Sequence, residues 1–494
     1  MQRLQRSFVA LAASAGATLI SHAGAGAQER ARVTAPASVL SPCSIGGLDG
    51  DVRCGTVRVP EDHRRPAGRQ LELFVAVARA TGAERAPDPF LLLSGGPGQA
   101  GSEMGSFASQ AFGRVREHRD LVLLDVRGTG RSHRLACQLM RRNTDLVGWT
   151  LYPLDALRAC RDSLSRSADL ARYTTAVIAG DLEAVRRAFG WPALNLYGTS
   201  YGSRLALAYL RAHPASVRSM VLKAVAPPTM IAPMDYAEDG EAAFKLLERD
   251  CRADTACARA FPTLRADLDA VLTRAAAGKL VAVLPGAAGA ADTLPLHRDA
   301  VAGALLGAMQ SSGARSRLPR TLRAAAGGTT DPLVEQAVQY RQQLGQFIAM
   351  GMHLSVSCAD DGQRLDLAAA RATDGRTFLG SSRVRMLAEA CAAWAEMPPT
   401  PGAHEPVRAS TPVLLVSGEL DPNTPPRWAE DALRTLPNAR HVVLRGVAHG
   451  WSNVAGCGAA FVADFVARAS VRDLDVACAE VSSAPPFVTA AGPR

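Results

Sequence analysis

One pentapeptide and its flanks constrain this 494-residue chain more than any other feature. Gly198-Thr199-Ser200-Tyr201-Gly202 follows an apolar run, residues 193–197, and precedes a helix-forming run, residues 203–210, closed by Pro214. Strand, G-x-S-x-G and helix in that order describe a sharp turn that lifts a serine hydroxyl over the edge of a sheet. Glycines two residues either side let the neighbouring strand and helix approach closely. The pentapeptide alone is a weak pattern, because Gly, Ser and Tyr are common loop residues. Its placement makes Ser200 the candidate nucleophile.

A serine hydroxyl needs a base at neutral pH, and the base needs an orienting acid. With this kind of turn the partners follow the serine in the order acid, then histidine. Residues 411–418 form a β-rich run that leads into Glu419-Leu420-Asp421-Pro422-Asn423-Thr424-Pro425. Residues 440–445 form a second run, leading into Gly446-Val447-Ala448-His449-Gly450. Asp421 and His449 thus each lie just past the C-terminal end of a strand, where open α/β sheets build their sites. Glu419 is the rival acid, but Pro422 and Pro425 centre the loop on Asp421. His441 falls inside a strand and reads as a packing or surface residue. The other histidines are scattered without metal-ligand spacing, so no metal and no cofactor are expected. Ser132, in Gly128-Thr129-Gly130-Arg131-Ser132, has no elbow around it.

Charge developing on a substrate carbonyl requires N–H groups already aimed at it. The N–H of Tyr201 is one expected donor. The second is expected from Gly95-Gly96-Pro97-Gly98, after the strand-like residues 89–94, with Gly96 first and Gly95 next.

Three stretches carry a family resemblance: Gly95-Gly96-Pro97-Gly98, Asp125-Val126-Arg127-Gly128-Thr129-Gly130-Arg131-Ser132 and Gly198-Thr199-Ser200-Tyr201-Gly202. Their order resembles the H-G-G-P-G, D-x-R-G-x-G-x-S and G-x-S-x-G of the prolyl aminopeptidase family, peptidase family S33, among the α/β-hydrolases. The secreted tripeptidyl aminopeptidase-like subgroup is the most similar, also through residues 53–63 and through 411–449 followed by Cys457. Ser94 departs from the family's histidine before G-G-P-G. The resemblance covers most of 50–470 and is weakest in the middle. It implies an α/β-hydrolase fold, a mainly parallel doubly wound sheet with an inserted, mostly helical cap, and hydrolysis of peptides or amides from a free N-terminus. Spacing by itself implies only a serine hydrolase. A carboxylesterase using the same three residues is the enzyme alternative. A binding protein on a dead hydrolase scaffold is the non-enzyme one.

Charge and cysteine content bear on partners and compartment. The formal net charge is +9, nearly all from dispersed arginines, with lysine only at 223, 245 and 279. No basic stripe with interleaved aromatics occurs, so nucleic acid is not an expected partner. Peptide or small amide or ester substrates are, and oligomeric state is left open. Residues 1–27 read as a signal peptide: Arg3 and Arg6, an apolar stretch from Ser7 to Ile20, then Ala25-Gly26-Ala27 before Gln28. No other segment is apolar enough for a membrane span. Secreted or periplasmic localisation follows, and it agrees with ten cysteines, an even count in near-neighbour pairs. The simplest pairing is Cys43–Cys54, Cys137–Cys160, Cys251–Cys257, Cys358–Cys391 and Cys457–Cys478.

The expected organisation is an irregular lead at 28–50, a first core segment at 51–226, a helical cap at 227–407, a second core segment at 408–470 and a tail at 471–494. Strands are expected at 71–78, 121–126 and 217–222, and an amphipathic helix at 181–189. Asp125 and Arg127 are expected to brace a turn. Residues 227–407 are too long for a loop and show helical periodicity at 236–249 and 334–348. Within them Cys358-Ala359-Asp360-Asp361 is the polar cluster that stands out. Asp360 or Asp361 is the candidate carboxylate for a substrate ammonium group. A solvated loop or a helix cap reads the same residues equally well. Residues 461–466 are expected to form a helix on the sheet, and the chain after Ser482 to be loose.

Overall fold

Apolar runs without polar alternation build the centre of the sheet, because a strand covered on both faces needs no solvent side. The computed structural model describes residues 40–286, 290–450 and 455–489, without the side chains of 455–457. Its main sheet has nine strands. They are β1 (Ser41–Pro42), β2 (Val52–Pro60), β3 (Gln70–Ala78), β4 (Phe90–Leu93), β5 (Leu121–Leu124), β6 (Leu194–Thr199), β7 (Val217–Lys223), β10 (Val413–Gly418) and β11 (Ala439–Leu444). The order is β1-β2-β3-β5-β4-β6-β7-β10-β11. Pairing is antiparallel from β1 through β3 to β5 and parallel from β5 onward.

Period-two geometry sends alternate residues of each strand into two separate cores. Leu91, Leu93, Leu196, Leu222 and Leu415 enter one, with Ile178, Leu182, Leu205 and Tyr209 from the helices Thr175–Ala188 and Tyr201–Ala212. Phe90, Leu92, Tyr197, Val221 and Leu414 enter the other, with Phe112, Phe461 and Phe465 from the helices Gly105–Arg116 and Ala455–Arg468. Helices on both faces of a mainly parallel sheet make a doubly wound α/β fold.

The chain between β7 and β10 is largely helical and packs in two ways. Helices such as Ala232–Ala253, Arg298–Met309 and Asp331–Phe347 close on a cluster of their own, around Phe244, Leu268, Leu305 and Leu333. That cluster also takes in a hairpin of β8 (Val281–Pro285) and β9 (Ala291–Pro295). The helices Met350–Asp360 and Ser382–Ala393 instead join the first sheet core through Leu354, Val356, Met386 and Leu387.

Four of the expected disulfides are present: Cys43–Cys54, Cys137–Cys160, Cys251–Cys257 and Cys358–Cys391. The fifth falls on Cys457, whose side chain lies outside the described residues, as does the expected signal peptide. The tail departs from expectation. Ser482 Oγ donates to Arg445 O at 2.5 Å and Val488 N to Ser316 O at 3.2 Å, which tie it down. Among the described residues no helix is long and apolar enough to cross a membrane.

Candidate active site

Ser200 stands between the last residue of β6 and the first of the helix Tyr201–Ala212, with φ 55° and ψ −123°. A side chain at positive φ is strained by about 1–3 kcal/mol and persists only when its surroundings hold it. They do so through backbone. Ser200 N donates to Lys223 O at 3.0 Å, and Ser200 O accepts from Ser203 N at 2.9 Å and Ser203 Oγ at 2.6 Å. Gly202 is sterically required, since a Cβ there would overlap the carbonyl oxygen of Leu93 at the end of β4.

Asp421 follows β10, and its buried carboxylate collects four donors. Asn423 N and Thr424 N lie at 2.9 and 3.0 Å, Thr424 Oγ1 at 2.8 Å, and His449 Nδ1 at 2.8 Å. Burial alone would raise its pKa. The His449 imidazole, the Lys223 charge and these hydrogen bonds overcome burial and hold it well below the usual carboxylate range. A carboxylate can only accept here, so His449 carries its proton on Nδ1 and leaves Nε2 as a base. Glu419, the rival acid, turns outward, accepting from Gly446 N at 3.0 Å and pairing with Arg249. His441 bonds Ser417 Oγ at 3.0 Å within the sheet, and Ser132 Oγ donates to Asp125 O at 2.6 Å. Asp125 accepts from Ser102 N and Arg131 N, and Arg127 is clamped by Asp181 and Glu61 O. These two residues brace turns.

Ser200, Tyr201, Gly95, Gly96, His449, Asp360 and Asp361 all line one cavity of about 440 Å³. Tyr201 opens its helix, so its N–H has no partner within that helix. Gly96 adopts φ +110°, closed to other residues, and Gly95 packs against the Cβ of Ser200. Ser94, which stands where the resembled family carries histidine, donates its hydroxyl to Gln99 O at 2.6 Å across the loop.

The two candidate carboxylates differ. Asp361 is neutralised by Arg204, whose Nη1 lies 3.1 and 3.0 Å from its oxygens. Asp360 sits 4.0 Å from Arg204 and accepts from Thr175 Oγ1 at 2.6 Å. Thr175 spends its one proton there, so it accepts from Tyr201 Oη at 2.9 Å. A hydrogen-bonded chain thus joins the residue beside Ser200 to Asp360. Burial, helped by the Asp361 charge, pushes Asp360 up to about 6 against the pull of Arg204.

Sequence reasoning passed over two supporting residues. Lys223, fully buried at the end of β7, donates from Nζ to His449 O at 3.0 Å. Burial lowers its ammonium to about 8. A lone lysine closing an apolar strand in an arginine-dominated chain was the available signal. His353 donates from Nδ1 to Pro97 O at 3.3 Å and accepts from Tyr152 Oη at 3.0 Å, bracing the glycine loop. Burial pushes it down to about 4, so it is neutral. Nothing local in the sequence marks it.

A strained, half-buried serine lining the cavity, a histidine held in one tautomer and two candidate donors suit acyl transfer through a covalent intermediate. The sequence profile of the family described as "alpha/beta hydrolase fold" matches residues 88–450. The chain is 29% identical over 228 residues to the serine protease Hip1 of Mycobacterium tuberculosis, covering 42% of this chain and 43% of that one. It is 30% identical over 197 residues to a tripeptidyl aminopeptidase of Streptomyces lividans, covering 37% of each. A proline iminopeptidase of Neisseria gonorrhoeae is 30% identical over 139 residues, covering 28% of this chain and 32% of that one. The matches thus span less than half the length of these relatives.

Proposed function

Because the chain belongs to the α/β-hydrolase fold family, we propose that it is an exported serine hydrolase acting as an exo-aminopeptidase. His449 Nε2 takes the proton of Ser200 as its Oγ attacks the scissile carbonyl. The N–H groups of Tyr201 and Gly96 receive the developing oxyanion. His449 returns the proton to the leaving amine, and water then releases the acyl group by the same path. Asp421 keeps the imidazole in its tautomer, and Lys223 fixes the loop that carries it.

The observation that carries the aminopeptidase reading is Asp360. It is a carboxylate whose nearest cation, the Arg204 guanidinium, lies 4.0 Å away and is already paired with Asp361, in the cavity that holds the serine, and it suits a substrate ammonium group. Residues 227–407 act as the cap that shapes this pocket, which Tyr236, Tyr340 and Leu344 help to line. Relatives named for peptide cleavage support the same substrate class. Four disulfides support an oxidising compartment.

The test compares hydrolysis of a free-amine tripeptide anilide with its N-acetylated twin, using Ser200→Ala as the blank. The expected outcome is cleavage of the free amine alone, with the variant slower by roughly 10⁴–10⁶-fold. Cleavage of neither, with an aryl ester turned over, would make the protein an esterase.

A further inference from the structure

Two arginines line the cavity, Arg204 and Arg383, and they differ in what answers their charge. Arg204 meets Asp361 and donates Nη2 to Met230 O at 2.8 Å. Arg383, on the helix Ser382–Ala393, forms no ion pair among the described residues. Its one hydrogen bond there runs from Nη2 to Tyr340 Oη at 2.5 Å, with the guanidinium carbon 5.6 Å from the centroid of that ring. The groups around it are the phenols of Tyr340, Tyr152 and Tyr236. Its other neighbours are the guanidinium of Arg341 and the neutral imidazole of His353. Arg341 is fully engaged elsewhere, donating to the carbonyls of Asp145, Thr150 and Gly148 at 2.7–2.8 Å.

A guanidinium stays charged at any physiological pH and offers five donors in a planar fork. Arg383 is half-buried, and withdrawing a guanidinium from water without an anion carries a cost that a ligand's negative charge would offset. The fork matches a carboxylate, which accepts two parallel N–H bonds. We infer that Arg383 binds a carboxylate of the substrate, giving the cavity a cationic pole in addition to the anionic one at Asp360. This rests on the reading of the cavity as a peptide site. The carboxylate has two possible sources, the free C-terminus of a short peptide or an Asp or Glu side chain within it. The Cys358–Cys391 bridge joins the helix that carries Asp360 to the helix that carries Arg383, which fixes the spacing of the two poles.

The experiment measures binding calorimetrically on the full chain carrying Ser200→Ala, so that no ligand is consumed. One arm compares trialanine with trialanine amide. The other compares the C-terminal amides of Ala-Glu-Ala and Ala-Gln-Ala. The expected result is binding roughly 10- to 100-fold tighter for the carboxylate member of at least one pair. The arm that shows the difference identifies the source. Adding Arg383→Met should bring that ratio to about one, and Arg383→Lys should restore part of it, with thermal melting as the check on folding. Equal binding, or none, for both members of both pairs overturns the proposal whether or not the second variants fold. Retention of the preference in a folded Arg383→Met chain overturns it too. The readout needs no turnover, so it separates from the aminopeptidase reading. A chain that prefers carboxylates but leaves free-amine peptides uncut keeps Arg383's role and loses the peptidase assignment. A chain that cuts them without the preference does the reverse.

Discussion

Burial and the neighbouring Asp361 charge disfavour the ionised form of Asp360. Its carboxyl titrates at about 6 in the folded chain against an ordinary value of 3.8. Between those values the folded state binds the extra proton, so this group's favourable contribution is complete below about pH 4 and lost as pH rises through 6. At pH 7 the ionised carboxylate is a net cost. Asp360→Asn should therefore raise stability at pH 7 by about 1–3 kcal/mol and by little at pH 4, measured by denaturant melts at both values. The same change should raise KM for free-amine peptides while leaving a neutral aryl ester unaffected. In the unsubstituted protein KM for free-amine peptides should fall as pH rises through about 6, as the carboxylate ionises. Ser200, Asp421 and His449 were legible because each follows a strand in a fixed chain order. Lys223 carried a signal in its isolation, whereas His353 and Arg383 carried none, because their partners lie more than 40 positions away.

At the scale of elements, the elbow is a contact between β4, β6 and one helix with no room for a methyl group. Gly202→Ala would drive a Cβ into the end of β4 and should cost at least about 3 kcal/mol, read as a loss of denaturation midpoint, with activity falling further because Ser200 shifts with the helix. The histidine loop depends on distant chain as well. Ser312 Oγ donates to Gly446 O and accepts from Ala448 N, both at 3.1 Å, and His449 N donates to Gln310 O at 3.2 Å. Ser312→Ala should therefore lower kcat with less effect on KM, in a steady-state comparison with one anilide. The central strands could be read from apolar runs, unlike β1, inside the expected irregular lead, and β2, interrupted by Arg53 and Arg58. The hairpin of β8 and β9 and the division of the inserted helices between two cores could not. Alanine-rich helices show which face is apolar but not which neighbour it meets.

The molecule as a whole combines a sheet core that positions Ser200, Asp421 and His449 with a segment between β7 and β10 that adds Asp360, Asp361 and Arg383 to the cavity lining. The Cys358–Cys391 bridge closes a separation of 33 residues and should contribute roughly 3–4 kcal/mol by restricting the unfolded chain. Replacing both cysteines with serine should lower the melting temperature, and it should raise KM for free-amine peptides more than it lowers turnover of a neutral ester. None of the four described bridges touches β6, β10 or β11. A chain kept among reduced thiols would thus retain its nucleophile in register yet hold its two charged poles loosely. On the proposed function, oxidation during export would then act as a licensing step: the capacity to cut would be folded in from the start, and discrimination among substrates acquired only on arrival.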